Sequence, residues 1–236
     1  MTLTPAKKGK SFDPVPAGNH VARLYEIIHI GTIPTTWQGQ EKMTDKIRLT
    51  FELCNEKKEF KEGEGEKPFS ISREFTYSWG TKGNLRPFVE GFIGTKLHDD
   101  EAYNFNLEDL LGDVCLLNVV HTEKDGNTYS NIQGASPLPK GMTAPEVFNE
   151  KRSLDINTIP CSDIEKLPEF IQAKMYSSEE FSNRKRADEM LGGKKVGNYR
   201  PKAVSGEPVI EYPEAALLFT PRLSKTRRSG QSGWLS

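Results

Sequence analysis

Long apolar runs are missing from this sequence. Nothing in it approaches the about 20 consecutive apolar residues of a membrane-spanning helix, and the opening MTLTPAKKGK lacks the apolar heart of a secretion signal. Both absences lead us to expect a cytoplasmic protein with no membrane partner. Cysteine is scarce too: Cys54, Cys115 and Cys161 are odd in number, far apart and without a CxxC pair. That pattern supports neither a disulfide framework nor a zinc site. His20, His29, His98 and His121 are equally scattered and read as structural or surface residues. Catalytic signatures are absent: there is no GxxxxGK[ST], HExxH or GxSxG, and GGKKVG after Leu191 follows no strand that would make it a phosphate cradle. The adjacent acids Asp99-Asp100 and Glu179-Glu180 suit solvated or helix N-terminal positions better than metal coordination. No enzyme, cofactor or metal is expected.

Charge of one sign is lacking overall but not locally. The net charge is −1, yet from Arg184 onward eleven Lys/Arg face five Asp/Glu, a surplus of +6 that leaves −7 on the first 183 residues. An acidic body argues against a simple polycation for nucleic acid, although a groove on such a body can still be locally basic. At 35% hydrophobic, 28% charged and a mean hydropathy of −0.61, the chain has material for one good core plus polar appendages.

What is present is strand pattern. A first strand runs from Asn19 to about Ile30, too densely apolar to be one-sided and therefore central; GTIPTTWQGQEKMTD after it reads as a long loop. The second strand alternates cleanly, with Ile47, Leu49, Phe51 and Leu53 on one side and Lys46, Arg48, Thr50 and Glu52 on the other. The charged NEKKEFKEGEGEK connects it to a third strand, Phe69–Trp79. There the aromatic side should be internal, yet Arg73 interrupts it; either a bulge or sheet edge lies there, or part of this face is an external aromatic platform.

A helix follows near Asn84–Ile93, closed by Gly94, and Asn106 is placed to cap LEDLL. A strand Asp113–His121, a turn at Asp125-Gly126 and a strand Thr128–Ser136 complete the set. Three strands, a helix, then two strands is the order of an OB-fold. The expected architecture is therefore mainly β: a five-stranded OB-fold barrel with a helix between strands three and four, plus a C-terminal helical and extended arm. Residues 1–17 form an extended N-terminal arm, 18–140 the barrel, 141–191 a Pro-rich linker with short helices on or beside it, and 192–236 a basic, flexible tail.

Four stretches carry a family resemblance: FDPVPAGNHVARLYEIIHIGT, EFTYSWGTKGNLRPFVEGFIG, LLGDVCLLNVVH with its hairpin and SPLPKG, and LPEFIQAKMYSSEEF. In these the chain resembles phage-encoded single-stranded-DNA-binding-like proteins of replication and recombination modules. The resemblance implies an OB-fold core, single-stranded DNA as ligand, replication or recombination proteins as further partners and the host cytoplasm; whether the chain forms a homo-oligomer stays open. It departs in its ending, which is basic at Lys225, Arg227 and Arg228 where such proteins often carry an acidic recruitment tail.

An OB-fold would use the outer face of strands two and three and the loops joining strands one–two and four–five, with aromatic rings to stack bases and cations to follow the phosphates. The residues in those positions are Trp37 and Lys42 in the first loop, Lys46 and Arg48 on strand two, and Lys124 and Tyr129 at the last hairpin. Tyr77 and Trp79 are core or platform, Trp37 stacks a base or caps the barrel mouth, and Lys82 and Arg86 flank a helix start where cations are unfavourable unless an anion meets them. The basic segments Arg184–Lys202 and Arg222–Arg228 add DNA contacts, engage an acidic partner or stay solvated, and Ala215–Phe219 docks on a partner or folds back. Two rivals stand beside a non-catalytic DNA-binding protein: an adaptor that docks a replication or recombination protein on the barrel, and an unrecognised nuclease.

Overall fold

The computed structural model describes residues 14–190, apart from 125 and 144, with 187–190 described as backbone alone. The expectations for the N-terminal arm before Pro14 and for the tail 192–236 lie outside the described residues.

The apolar density of the first strand has the anticipated consequence. Strand β1 (Gly18–Trp37) is central, pairing antiparallel with β2 (Gln40–Lys58) over Ala22–Trp37 and with β4 (Val114–Lys124) over Gly18–Arg23. Strand β3 (Lys67–Thr76) pairs with β2, and β5 (Asn127–Pro137) with β4, giving the order β3-β2-β1-β4-β5. A short β6 (Arg152–Asp155) adds to β1 in parallel over Glu26–His29. The fold is thus mainly β, an antiparallel sheet with few helices. Helix α1 (Leu85–Ile93) lies between β3 and β4 in the chain, and Gly94 at φ +73 ends it. Then come α2 (Asp99–Tyr103) and a 3-10 turn at Leu107–Leu110, whose first turn is capped by Asn106 accepting from the Glu108 N–H. No helix among the described residues is long and apolar enough to cross a membrane.

One expectation is corrected, and one open alternative is resolved. The fifteen residues after Ile30 are not a loop: they continue β1 and β2 as a ribbon closed by Gln38 (φ 52) and Gly39 (φ 78), a two-residue hairpin turn. Pro34 is tolerated because, among the described residues, β1 has a partner there on its β2 side alone. In β3 there is no bulge at Arg73, since pairing with β2 runs unshifted from Ser70 to Thr76. The sheet-edge alternative holds: Arg73 lies on β3, the end strand of the sheet order. Its guanidinium donates to the Ile132 and Gln133 carbonyls of β5, both at 3.0 Å, and lies over the Phe75 and Phe88 rings. The cation is satisfied because the two end strands approach one another around it.

Two apolar clusters hold the structure. The main one gathers Leu24, Leu49, Phe51, Phe75, Leu85, Val89, Cys115 and Leu117 between the sheet and α1. The second joins Ile28, Ile30 and Ile33 of β1 to Ile156, Ile159 and residues of the C-terminal helices: α3 (Cys161–Ile164), α4 (Glu169–Tyr176) and α5 (Glu179–Met190). The C-terminal segment is therefore packed onto β1 through an apolar interface of its own.

Candidate nucleic-acid interface

Strand β2 decides which side chains meet. Both register shifts against it between Gln40 and Leu53 arise from extra residues on β1, so the alternation of β2 is unbroken. Ile47, Leu49, Phe51 and Leu53 enter the core, and Gln40, Lys42, Thr44, Lys46, Arg48, Thr50 and Glu52 share the opposite face. Trp37 pairs with Gln40 and so joins that face. Residues assigned to a loop and to a strand thus lie on one stripe, Trp37, Lys42, Lys46, Arg48, whose eight-residue run along β2 covers about 27 Å. Trp37 is 71% exposed at the ribbon tip, and burial increases towards Arg48.

At the Arg48 end of the stripe helix α4 comes alongside. Arg48 reaches Glu74 of β3 at 3.3 Å, and Lys174 of α4 grips both Glu74 oxygens at 2.9 and 2.8 Å. Lys46 donates to the Thr76 hydroxyl at 3.2 Å. Burial, together with the nearby Lys174, lowers the Lys46 pKa, and Glu74 partly offsets this. The Arg48 guanidinium lies 5.2 Å from the centroid of Phe170, a ring 49% exposed. Sequence reasoning passed over Phe170 and Lys174. The available signal was the helical offset: Ile171 and Met175 form one buried i, i+4 pair, which puts the i, i+4 pair Phe170 and Lys174 on another side of α4.

The upper half of the same face is closed, which corrects the expectation of an open surface along strands two and three. Arg23 bonds Glu52 at 2.7 Å and the Pro145 and Glu146 carbonyls, the Asn149 N–H donates to Glu52 at 2.9 Å, and Arg152 pairs with Glu26. Burial opposes the charge of Glu52, but the Asn149 and Arg23 bonds outweigh it and hold the carboxyl below its usual range. Acids with matched partners and the crossing segment 145–152 leave no room for a phosphate there.

The remaining candidates disperse. Trp79 is 8% exposed and packs on Phe105, which places it in the core. Arg86 is buried and fully engaged by Glu90, Asp99 and the Leu97 carbonyl, so the anions that meet it are internal. Tyr77 lies on the core side of β3's continuation, edge-on to His29. Lys82, Lys124 and Tyr129 are exposed. Because Gly18 pairs with Val119, the β4–β5 turn leaves the opposite end of β1 from the ribbon, and Lys124 and Tyr129 do not converge with Trp37.

A cavity of about 330 Å³ opens at the end of the core, lined by Ile27, His29, Ile47, Tyr77, Asn106 and Asp155 among others. His29 spans it, with Nδ1 2.8 Å from Asp155 and Nε2 2.9 Å from Asp45. Burial alone would lower the pKa of His29, but the hydrogen bonds to Asp45 and Asp155 prevail and raise it to about 9. Both ring nitrogens are taken, so the group acts as a charged clamp between β1, β2 and β6 and holds no nitrogen free for a substrate proton. Its folded pKa lies above the unfolded value near 6.5; the stabilisation is complete below that value and is lost as pH rises through about 9. The melting temperature should therefore fall between pH 7 and 10 by more in the native chain than in His29→Gln; equal declines would show that the clamp contributes nothing.

No protein-family model and no curated protein matches this sequence.

Proposed function

We propose that this chain is a single-stranded-DNA-binding protein of phage replication or recombination, built on an OB-fold barrel and reading no particular base sequence. The strand order, the helix between β3 and β4, and Arg73 joining β3 to β5 support the barrel. The observation that carries the function is the stripe: an exposed indole at the tip of a projecting ribbon, then Lys42, Lys46 and Arg48 at alternate positions on one continuous strand face. Unpaired bases stack on aromatic rings at about 1–3 kcal/mol each, and cations spaced along a strand follow a flexible phosphate chain. A duplex hides its base faces and gains the electrostatic part alone.

Titration with oligo-dT and with duplex of equal length at one salt concentration tests this. The chain should prefer dT, and Trp37→Ala should weaken dT binding by about tenfold; equal affinity for both forms, or an indifferent Trp37→Ala, would overturn the assignment. A second reading, an adaptor that docks a replication protein on the ribbon, is favoured by Met43, 42% exposed beside Trp37's strand, and by the acid-lined upper face. It would show as capture of that protein by a chain that leaves dT free.

A further inference from the structure

The two halves of the β2–β3 outer face differ in how their charges are balanced. Above, Arg23 has Glu52 and two carbonyls, and Arg152 has Glu26. Below, among the described residues, Arg48, Lys46 and Lys174 gather around Glu74, and the direct partner of Lys46 is a hydroxyl. A half-buried spot with surplus positive charge is completed by an anion. Helix α4 is docked so as to build this spot: Ile171 and Met175 sink into the cluster with Ile28, which brings Lys174 to Glu74 and Phe170 to Arg48.

Resting on the single-strand reading above, we infer that Arg48, Lys46 and Lys174 form a phosphodiester subsite in which Glu74 stands where the phosphate binds, with the Phe170 ring as platform for the adjoining base. The carboxylate offers Lys174 two oxygens and Arg48 one, the same pair of acceptors that the non-bridging oxygens of a phosphodiester present. Displacing Glu74 exchanges one anion for another at unchanged local charge. Affinity is thereby held down, and the nucleic acid gains the base contact that a carboxylate cannot supply. With Trp37 at one end and Phe170 at the other, about 27 Å of strand face lies between two stacking rings, which suits a site at the short end of the about 4–16 nucleotides used by one OB-fold.

The full chain and labelled oligo-dT test this by anisotropy at several salt concentrations. Phe170→Ala should bind about tenfold more weakly at an unchanged salt slope. Lys174→Ala should lower the slope of log K against log salt by about 0.7. Glu74→Gln should bind several-fold more tightly, a gain that no loss of folding can produce. Tyr103→Ala, on α2 and away from the stripe, should match the native chain. Native-like binding by both Phe170→Ala and Glu74→Gln, in a chain that does bind dT, would remove the subsite and leave the DNA-binding reading standing. A native chain that leaves dT free would remove both.

Discussion

Alanine at Lys42, Lys46 and Arg48 together is expected to lower affinity for oligo-dT by roughly two to three orders of magnitude at 0.05 M salt, with the difference vanishing towards 1 M. Each phosphate contact to a single strand contributes about 0.7 to the slope of log K against log salt, so three contacts remove about 2. The triple variant should keep its fold: Lys42 is exposed, Lys46 gives up one bond to a hydroxyl, and Glu74 retains Lys174 when Arg48 is gone. Salt titrations of the two proteins that run parallel would place the phosphate path elsewhere, at Lys124 or on the basic segment after Asn183. Trp37→Ala should behave differently, weakening binding by a similar factor at all salt concentrations, because stacking releases no counterions.

The second large effect comes from Gly31→Val. Gly31 has φ +96, a conformation that side-chain-bearing residues rarely adopt, and a Cβ there would lie 2.6 Å from Glu180 Oε2 and 2.9 Å from Ser178 Cβ. Glu180 in turn accepts hydrogen bonds from the Thr32 N–H and hydroxyl, both at 2.7 Å. Burial resists the charge on Glu180, but the Thr32 bonds exceed it and keep the carboxyl below its ordinary range. A branched side chain at Gly31 therefore combines backbone strain with overpacking, about 2–4 kcal/mol in all. The cost falls on the docking of α4 and α5 and leaves the sheet in place. Faster amide exchange confined to Ile164–Ser182, together with dT binding reduced as far as by Phe170→Ala and Lys174→Ala combined, is the expected pattern; exchange unchanged in α4 would refute it. Thr32→Val, which removes the hydroxyl donor alone, should cost about 1 kcal/mol.

Legibility in the sequence followed the range of the interactions. Alternation in β2, the turn residue Gly126 at φ +73, the Asn106 cap and the 3.6-residue spacing of Leu85, Phe88, Val89 and Phe92 are local, and each appears where the pattern placed it. The ribbon was misread because Pro34 and a run of threonines look like loop composition, yet an edge free of partners accepts proline, and Thr35 bonds Thr44 across the pair. Arg73 was legible as an anomaly but not as a solution, since its acceptors lie some 60 residues downstream on β5. Arg86 carried a readable hint in Glu90 four residues on; the Asp99 partner needed the structure. Strand β6 gave no periodic signal over four residues and forms because the pairing of β1 with β4 ends at Arg23, which leaves that edge of β1 to β6 at Glu26–His29.

The segment 145–152, laid across the upper sheet by Arg23, Glu52 and Glu26, has a consequence for traffic on the stripe. On the single-strand reading, an oligonucleotide running along β2 from the ribbon would meet a wall at Glu52 and veer aside, whereas at Trp37 it would leave freely into solvent. Such a track would be blind at one end and open at the other. A strand longer than the site would accordingly continue straight past the tip but pass Glu52 only by bending away from the sheet.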